Sequence, residues 1–460
     1  MLSHSFSQLL KKYNVPGPRY TSYPTVPAWT TEVSASDYRE NLAKLKDNEP
    51  LSLYFHLPFC EKLCHFCGCM QVITSDHSRS RTYTDILLQE IDRVASSISA
   101  SSKQVVQLHF GGGTPNFLQP GEMREIMQAI RRNFSIAAHA EIAIEMHPRT
   151  STQAFCEVLA ELGFNRISLG VQDFDPKVQT LINRHQTYEM TEAMLSSLRA
   201  LGFRSFNFDL IYGLPGQSLA TWQKTLQQVV ALRPDRLAVY SYAHVPWVRP
   251  VQRSFRDEDL PTPELKLKLF EAAYETFLQK SYRAIGMDHF ALEIDELSQA
   301  LQTGSIHRNF MGYSTQADAH QLGFGVSAIS YVGGHYFQNL KELPHYEKAI
   351  RGGDLATFRG FLLSHDDALR RDLITQIMCL GWVDTAEFAK KWSIDFKQYF
   401  AAELPKLSIL EQDGLIVWKD SLLQATERGN LLLRIIAMTF DAYLGKIQSE
   451  AKNPTFSKTV

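Results

Sequence analysis

Between residues 51 and 242, six short apolar segments alternate with longer amphipathic stretches, and this alternation limits the fold more than any other feature of the chain. The segments span 51–56, 105–110, 141–146, 166–171, 206–212 and 236–242. They have strand length, and most carry β-branched or aromatic residues. In the first intervening stretch Tyr83, Ile86, Leu87, Ile91, Val94 and Ile98 recur at steps of three and four. Met190, Met194, Leu198 and Leu201 repeat that spacing, as do Leu219, Trp222, Leu226, Val229 and Val230, which is the signature of helices with one buried face. Six strand–helix repeats predict an α/β fold of parallel βα units. A partial, TIM-like (β/α)6 barrel closes such an array, and an open sheet has the same spacing. In a barrel, chemistry sits at the C-terminal ends of the strands.

The flanks read differently. Residues 1–50 open with a short helical pattern and continue as PGPRYTSYPTVPAW, where Pro16, Pro18, Pro24 and Pro27 exclude a regular helix. The expectation is an extended N-terminal arm over the main domain, with Arg19 and Tyr20 as candidates to reach a substrate. Residues 254–360 hold a helical pattern over 263–279 and the run GFGVSAISYVGG, whose small residues suit tight turns or close backbone approach. No phosphate-loop lysine follows that run, which excludes a nucleoside triphosphate site there. From about 361 the pattern is helix, hairpin, helix. A helix is expected near 400–412, a hairpin in GLIVWKDSLLQATERG, then one long helix to about Leu444 and a frayed tail over 446–460. This predicts a mostly helical, winged-helix-like C-terminal domain, read as a cap on the substrate cavity or a structural module. The expected domains are thus 1–50, 51–360 and 361–460.

Four of the six cysteines, Cys60, Cys64, Cys67 and Cys69, fall within ten residues, directly after the first strand segment. So dense a set of thiols implies zinc, an iron–sulfur cluster or disulfides. A structural zinc site shows two separated ligand pairs, and no second pair exists here. Cys60, Cys64 and Cys67, spaced C-x3-C-x2-C, can hold three irons of one 4Fe-4S cluster and leave the fourth iron open. Cys69 is ambiguous: as a fourth ligand it would make a plain electron carrier. Cys156 and Cys379 stand alone in apolar helical patterns and read as buried thiols. The N-terminus lacks the apolar core of a signal peptide, and no apolar run reaches membrane-spanning length. Clustered thiolates in such a chain point to the reducing cytoplasm. A formal net charge of −2 gives no bulk electrostatic case for nucleic acid or an acidic membrane, and no basic stripe supports DNA binding by the C-terminal part.

Polar residues collect at the other strand ends. Gly111, Gly112 and Gly113 with Thr114 and Pro115 follow the second segment. Three side-chain-free positions let backbone amides and carbonyls approach a ligand. Glu145 alternates with Ile142, Ile144 and Met146 and so faces away from them. Gln172 ends the fourth segment, Arg184 lies beyond it in INRHQ, and Asp209 is on the fifth. Carboxylates can hold ribose hydroxyls or an ammonium, and arginine can grip a carboxylate bidentately.

C-x3-C-x2-C after a strand resembles the signature of the radical S-adenosylmethionine enzymes. The CHFCGC form, with GGGTP, GVQDF, FDLIYGLP, MDHF, HRNFMGY and the PGPRYTSYPT arm, resembles the oxygen-independent coproporphyrinogen III oxidases over nearly the whole chain. The resemblance implies a partial barrel, one 4Fe-4S cluster on Cys60, Cys64 and Cys67, and two molecules of S-adenosylmethionine. It places Tyr54, Phe66, Gly112, Gly113, Thr114, Glu145 and Ile329 with the first molecule. Gln172, Arg184, Asp209 and Ala243 go with the second. It puts Cys69 near the cluster but not on it, so Cys69 and Tyr54 become catalytic candidates. A 5′-deoxyadenosyl radical would remove a β-hydrogen from two propionates of coproporphyrinogen III, each then losing carbon dioxide and one electron to leave a vinyl group. Arg19, Tyr20 and Arg308 are candidate substrate contacts. The implied partners are the tetrapyrrole and an electron donor of the flavodoxin or ferredoxin kind, with the protein a monomer. His65 and His147 depart from the tyrosine and aspartate of the common form. The runner-up reading is a haem-chaperone-like relative, but such relatives generally lack the Cys69 position and the arm. A zinc or ferredoxin-like protein is the non-enzymatic alternative.

Overall fold

The computed structural model describes residues 4–98, 103–451 and 454–459. Six parallel strands form its centre: β1 (Leu51–Leu57), β2 (Gln104–Gly112), β3 (Ser135–Met146), β4 (Arg166–Gln172), β5 (Ser205–Tyr212) and β6 (Arg236–Ser241). Six further strands extend the sheet. They are β7 (Tyr282–Ile285), β8 (His289–Leu292), β9 (His320–Phe324), β10 (Ile329–Val332), β11 (His335–Asn339) and β12 (Thr357–Phe361). The order is β12-β11-β10-β9-β1-β2-β3-β4-β5-β6-β8-β7. β9 is parallel to β1, whereas the β8–β7 hairpin runs antiparallel to β6. The sheet does not close on itself, so it is the open, partial barrel that the βα alternation allows.

Alternation sorts the side chains of these strands. Leu53, Phe55, Leu108, Phe110, Ile142, Ile144, Ile167, Leu169, Phe206 and Phe208 pack outward under the helices in one core. The opposite faces are polar. Ser52 donates to Gln107 (2.8 Å), and Gln107 donates to Glu141 (2.9 Å). Glu141, Arg166, Arg236 and Asp295 then form an ion-pair network, Arg166 Nε lying 2.8 Å from Glu141 and Arg236 Nε 2.8 Å from Asp295. This network occupies the end of the barrel away from the cysteine loop.

The small-residue run closes the back of β1. A Cβ on Gly325 would lie 2.4 Å from the Tyr83 hydroxyl and 2.6 Å from the His56 carbonyl oxygen. That hydroxyl donates to His56 O (2.6 Å) and accepts from Val326 N (3.0 Å).

The C-terminal part builds a second core. Helices His365–Leu380, Thr385–Trp392 and Leu404–Gln412 pack on a three-stranded sheet of Trp382–Asp384, Leu422–Ala425 and Ile416–Lys419. Two expectations are corrected here. The long helix to Leu444 is three short ones, Glu427–Asn430, Leu433–Met438 and Leu444–Glu450. At Leu432, φ −126° and ψ 29°, the N–H turns back to Gly429 O (2.8 Å) and ends the first helix, and Asp441 accepts from Tyr443 N (2.9 Å) and Leu444 N (3.1 Å) ahead of the third. Nor are the described residues of the tail, 446–451 and 454–459, frayed. Ser457 O accepts from Gly17 N (3.0 Å), Thr459 N donates to Val15 O (2.9 Å), and Arg434 binds the carbonyls of Gly17, Pro18 and Lys458. Arm and tail are thus held together over the C-terminal core, where Tyr20 and Tyr23 are buried.

Candidate active site

The cysteine loop leaves β1 at Leu57 and is fastened at both ends. Phe59–Cys60 pairs with Val72–Ile73, Val72 N donates to Pro58 O (2.7 Å) and Thr74 N to Cys60 O (2.9 Å). Neighbouring segments hold its middle. His65 N donates to Ile182 O (3.0 Å), and Asn183 Nδ2 donates to Leu63 O (2.9 Å). Gln252 Nε2 lies between the carbonyls of Phe66 (3.3 Å) and Ala243 (3.2 Å), and Arg249 donates to Gly68 O.

The loop forms one wall of a cavity of about 320 Å³ at the C-terminal strand ends. Cys60, Cys64, Cys67 and Cys69 line it with Phe66, Gly112, Gly113, Thr114, Glu145, Gln172, Arg184 and Asp209. Scattered over 150 residues of sequence, these positions meet because each lies at or just beyond the end of a neighbouring strand.

The glycines fit this wall tightly. Gly112 has φ +112°, and a Cβ there would lie 2.6 Å from the His56 ring; a Cβ on Gly113 would lie 2.6 Å from the Pro58 carbonyl. One on Gly111 would meet Glu145 Oε1 at 2.7 Å. Glu145 accepts from Gly112 N (3.1 Å) and pairs with His109 Nε2 (3.2 Å). Burial raises the Glu145 carboxyl, but the His109 bond and charge, Gly112 and His56 outweigh it and hold the group below its ordinary value. Asp209 is pushed up to about 6 by burial and the nearby Glu145 charge, against the bonds from Asn207 and Ser168. One carboxyl is therefore charged at neutral pH and its neighbour is poised near titration.

Two observations suit this wall to a cluster and a polar ligand. All four thiols are free, and Arg184 Nη1 lies 3.8 Å from Cys64 Sγ, while Thr114 Oγ1 lies 3.2 Å from Cys60 Sγ. Such contacts suit thiolates and the sulfurs of a cluster. Gln172 Oε1 and Arg184 Nε are buried at the cavity without hydrogen-bond partners. Gln172 also holds φ +67° at a register shift in β4, a strain typical of binding positions. Cys69 hydrogen-bonds Cys67, which lowers the Cys67 thiol and raises that of Cys69.

Other expected residues, His147 apart, lie outside the lining. Tyr54 sits one layer deeper, its hydroxyl 3.0 Å from His56 Nδ1, and His56 Nε2 is 3.0 Å from Met70 O in the cysteine loop. Ala243 touches the site through Gln252, and Ile329 starts β10, with its carbonyl on Gln321. Arg19 donates to Ser241 O (2.7 Å) at the end of β6 and lies 5.7 Å over the ring of Tyr240, a cavity residue. Tyr20 donates to Asp441 (3.0 Å). Arg308 makes a two-point pair with Asp288 (3.2 and 3.3 Å). His65 Nδ1 is 3.1 Å from Leu181 O, and His147 lines the cavity, where burial and the charges of Arg184 and Arg149 keep its imidazole neutral. Sequence reasoning missed His56, His109 and Gln252. The two histidines carry a readable signal, since in FHLPFC and LHFGGG each stands at an inward position of its strand; Gln252 carries none.

The Radical SAM superfamily matches residues 54–229, and the HemN C-terminal domain matches residues 363–432. The chain is 43% identical to the oxygen-independent coproporphyrinogen III oxidase of Escherichia coli, over 98% of both chains. It is 42% identical to that of Pseudomonas aeruginosa, over 96% of this chain and 97% of the relative. A solved structure, coproporphyrinogen III oxidase (HemN) from Escherichia coli, described as a radical SAM enzyme, superposes with TM-score 0.90 at 42% identity, covering 95% of this chain and 98% of that one.

Proposed function

This chain belongs to the oxygen-independent coproporphyrinogen III oxidases of the radical SAM superfamily, and we propose that it converts two propionate side chains of coproporphyrinogen III to vinyl groups, giving protoporphyrinogen IX. The observation that carries this reading is the single cavity in which Cys60, Cys64 and Cys67 face Gly112, Gly113, Glu145, Gln172, Arg184 and Asp209. An unactivated C–H bond is beyond side-chain acid–base chemistry, so a cofactor must supply the reactive species. A 4Fe-4S cluster on the three thiols, with S-adenosylmethionine, supplies a 5′-deoxyadenosyl radical when bound.

The chain's own residues position and shield. Gly112 and Gly113 present backbone where a side chain would collide with His56 of β1 or with the Pro58–Phe59 backbone just beyond it. Glu145, kept charged by His109, suits an ammonium or a pair of ribose hydroxyls. Arg184, with a buried Nε still to be satisfied, suits a carboxylate, and Gln172 Oε1 suits a donor. These pairings support two S-adenosylmethionine molecules, the first with Tyr54, Phe66, Gly112, Gly113, Thr114, Glu145 and Ile329 and the second with Gln172, Arg184, Asp209 and Ala243. Tyr54 acts through His56, whose other nitrogen meets the cysteine loop. Cys69, beside Cys67 and not needed by a three-thiolate site, is available to the substrate. Arg19 and Arg308 are the proposed carboxylate partners, and Tyr20 holds the arm that carries Arg19. A flavodoxin- or ferredoxin-class donor would feed this monomeric, cytoplasmic enzyme. Among the described residues no helix is long and apolar enough to cross a membrane.

The test is anaerobic turnover of the reconstituted protein with S-adenosylmethionine, reductant, electron acceptor and coproporphyrinogen III, followed by mass. Protoporphyrinogen IX is expected, and Cys64→Ala abolishes it. An intact cluster that cleaves S-adenosylmethionine yet leaves both propionates untouched would send the assignment to another substrate.

A further inference from the structure

A second, smaller cavity lies between the sheet and the C-terminal helix His365–Leu380, with a volume of about 30 Å³, enough for two waters or the two oxygens of a carboxylate. Its lining carries two guanidinium groups, Arg308 and Arg371, and no carboxylate. Arg308 is 5% exposed. Its two terminal nitrogens are on Asp288, but its Nε has no hydrogen-bond partner. Arg371 comes from the helix. Its Nε donates to the Tyr336 hydroxyl (3.0 Å), and its guanidinium lies 4.2 Å over the Tyr331 ring. Neither contact neutralises it; the carboxylate acting on it is that of Asp372, the next residue of the helix. Ile374 and Thr375, three and four residues on, line the same space. His307 also lines it, with burial and the Arg371 charge holding its imidazole neutral. Arg308 lines the cavity with its Nε unfilled, and a buried donor left without a partner is costly.

We propose that Arg371 and Arg308 form an anion subsite, through which the C-terminal domain takes hold of one peripheral carboxylate of the substrate. The naming of that ligand rests on the reading above; the anion subsite stands on the two arginines and the cavity. Its position suits the assignment. Tyr240 lines the main cavity and feels the charge of Arg308, which lines the smaller one. A tetrapyrrole with carboxylates around its rim can put one reacting propionate in the first and anchor another in the second. Arg371 would then be a binding residue that the sequence did not disclose. The competing role is purely mechanical, with Arg371 docking its helix on Tyr331 and Tyr336.

Two experiments on the full-length protein separate these roles. In anaerobic titrations, coproporphyrin III and its tetramethyl ester are compared on wild type, Arg371→Met and Arg371→Lys. The subsite predicts an acid affinity about 10- to 100-fold weaker in Arg371→Met, partly restored in Arg371→Lys, with ester affinity unchanged. In turnover it predicts a higher KM at constant kcat. Equal losses for acid and ester, or no loss, would overturn it. In the second experiment, propionate is titrated while the melting temperature is followed. A rise in wild type that Arg371→Met lacks supports the subsite even if coproporphyrinogen is not turned over, in which case the substrate assignment fails alone. Identical propionate responses, joined to unchanged porphyrin affinity, would remove the subsite whatever the enzyme's activity.

Discussion

Gly113 stands where the cysteine loop and the second strand come nearest. A Cβ there would lie 2.6 Å from both the carbonyl carbon and oxygen of Pro58 and 2.8 Å from Phe59 O, all backbone, so nothing flexible can yield. Gly113→Ala must move the loop that carries Cys60. We expect iron and sulfide content after reconstitution to fall severalfold while far-ultraviolet circular dichroism stays native. Full cluster loading in that variant would mean the loop has slack that the structure does not show. At this scale much of the site was legible. Glu145, Gln172 and Asp209 could be found because polar residues at strand ends stand out from apolar runs. His56 and His109 were harder. Their partners, Met70 O for one and Glu145 for the other, depend on strand register, which one sequence does not reveal. Arg371 was illegible for a similar reason, since Arg370 beside it turns to Asp366 and Glu403, and only the packed helix distinguishes the two.

The elements of the barrel are tied at their N-terminal side by Glu141 on β3, Arg166 on β4 and Arg236 on β6. Burial raises the Glu141 carboxyl, but the two guanidiniums and Gln107 outweigh it and hold it at about 2. A depressed carboxyl stabilises the fold above its ordinary value of 4.5, and that contribution is lost as pH falls from 4.5 through about 2. Glu141→Gln leaves two buried arginines short of one charge, a cost of roughly 3 kcal/mol at pH 7. The melting-temperature gap between wild type and variant should therefore be widest near neutrality and narrow steadily below pH 4.5. A gap independent of pH would show that the pair contributes packing rather than charge. Strand existence and order of chemistry along the chain were legible from alternation alone. The early start of β3 was not, because Ser135 to Ala140 carry no strong apolar run, and the C-terminal helix was overextended because an apolar stretch buried on all sides looks helical in one dimension.

The whole molecule is closed by its two ends. Arg434 binds carbonyls of Gly17, Pro18 and Lys458, so one side chain of the C-terminal domain holds both arm and tail, and the arm in turn carries Arg19 to the end of β6. Nothing local in the sequence announces contacts between residues more than four hundred positions apart. Arg434→Met should speed trypsin cleavage after Arg19 by tenfold or more, as about 3 kcal/mol of charge-assisted bonding is removed, and raise the KM for substrate; protection unchanged from wild type would show that the arm is held elsewhere. In the proposed reaction all these parts together bring a propionate side chain to the adenosine end of S-adenosylmethionine. The direct measurement uses coproporphyrinogen III deuterated at the propionate β-carbons, with mass analysis of the 5′-deoxyadenosine formed in anaerobic turnover. One deuterium per deoxyadenosine, and one deoxyadenosine per vinyl group, is the predicted result. Unlabelled deoxyadenosine accompanying vinyl formation would contradict the account.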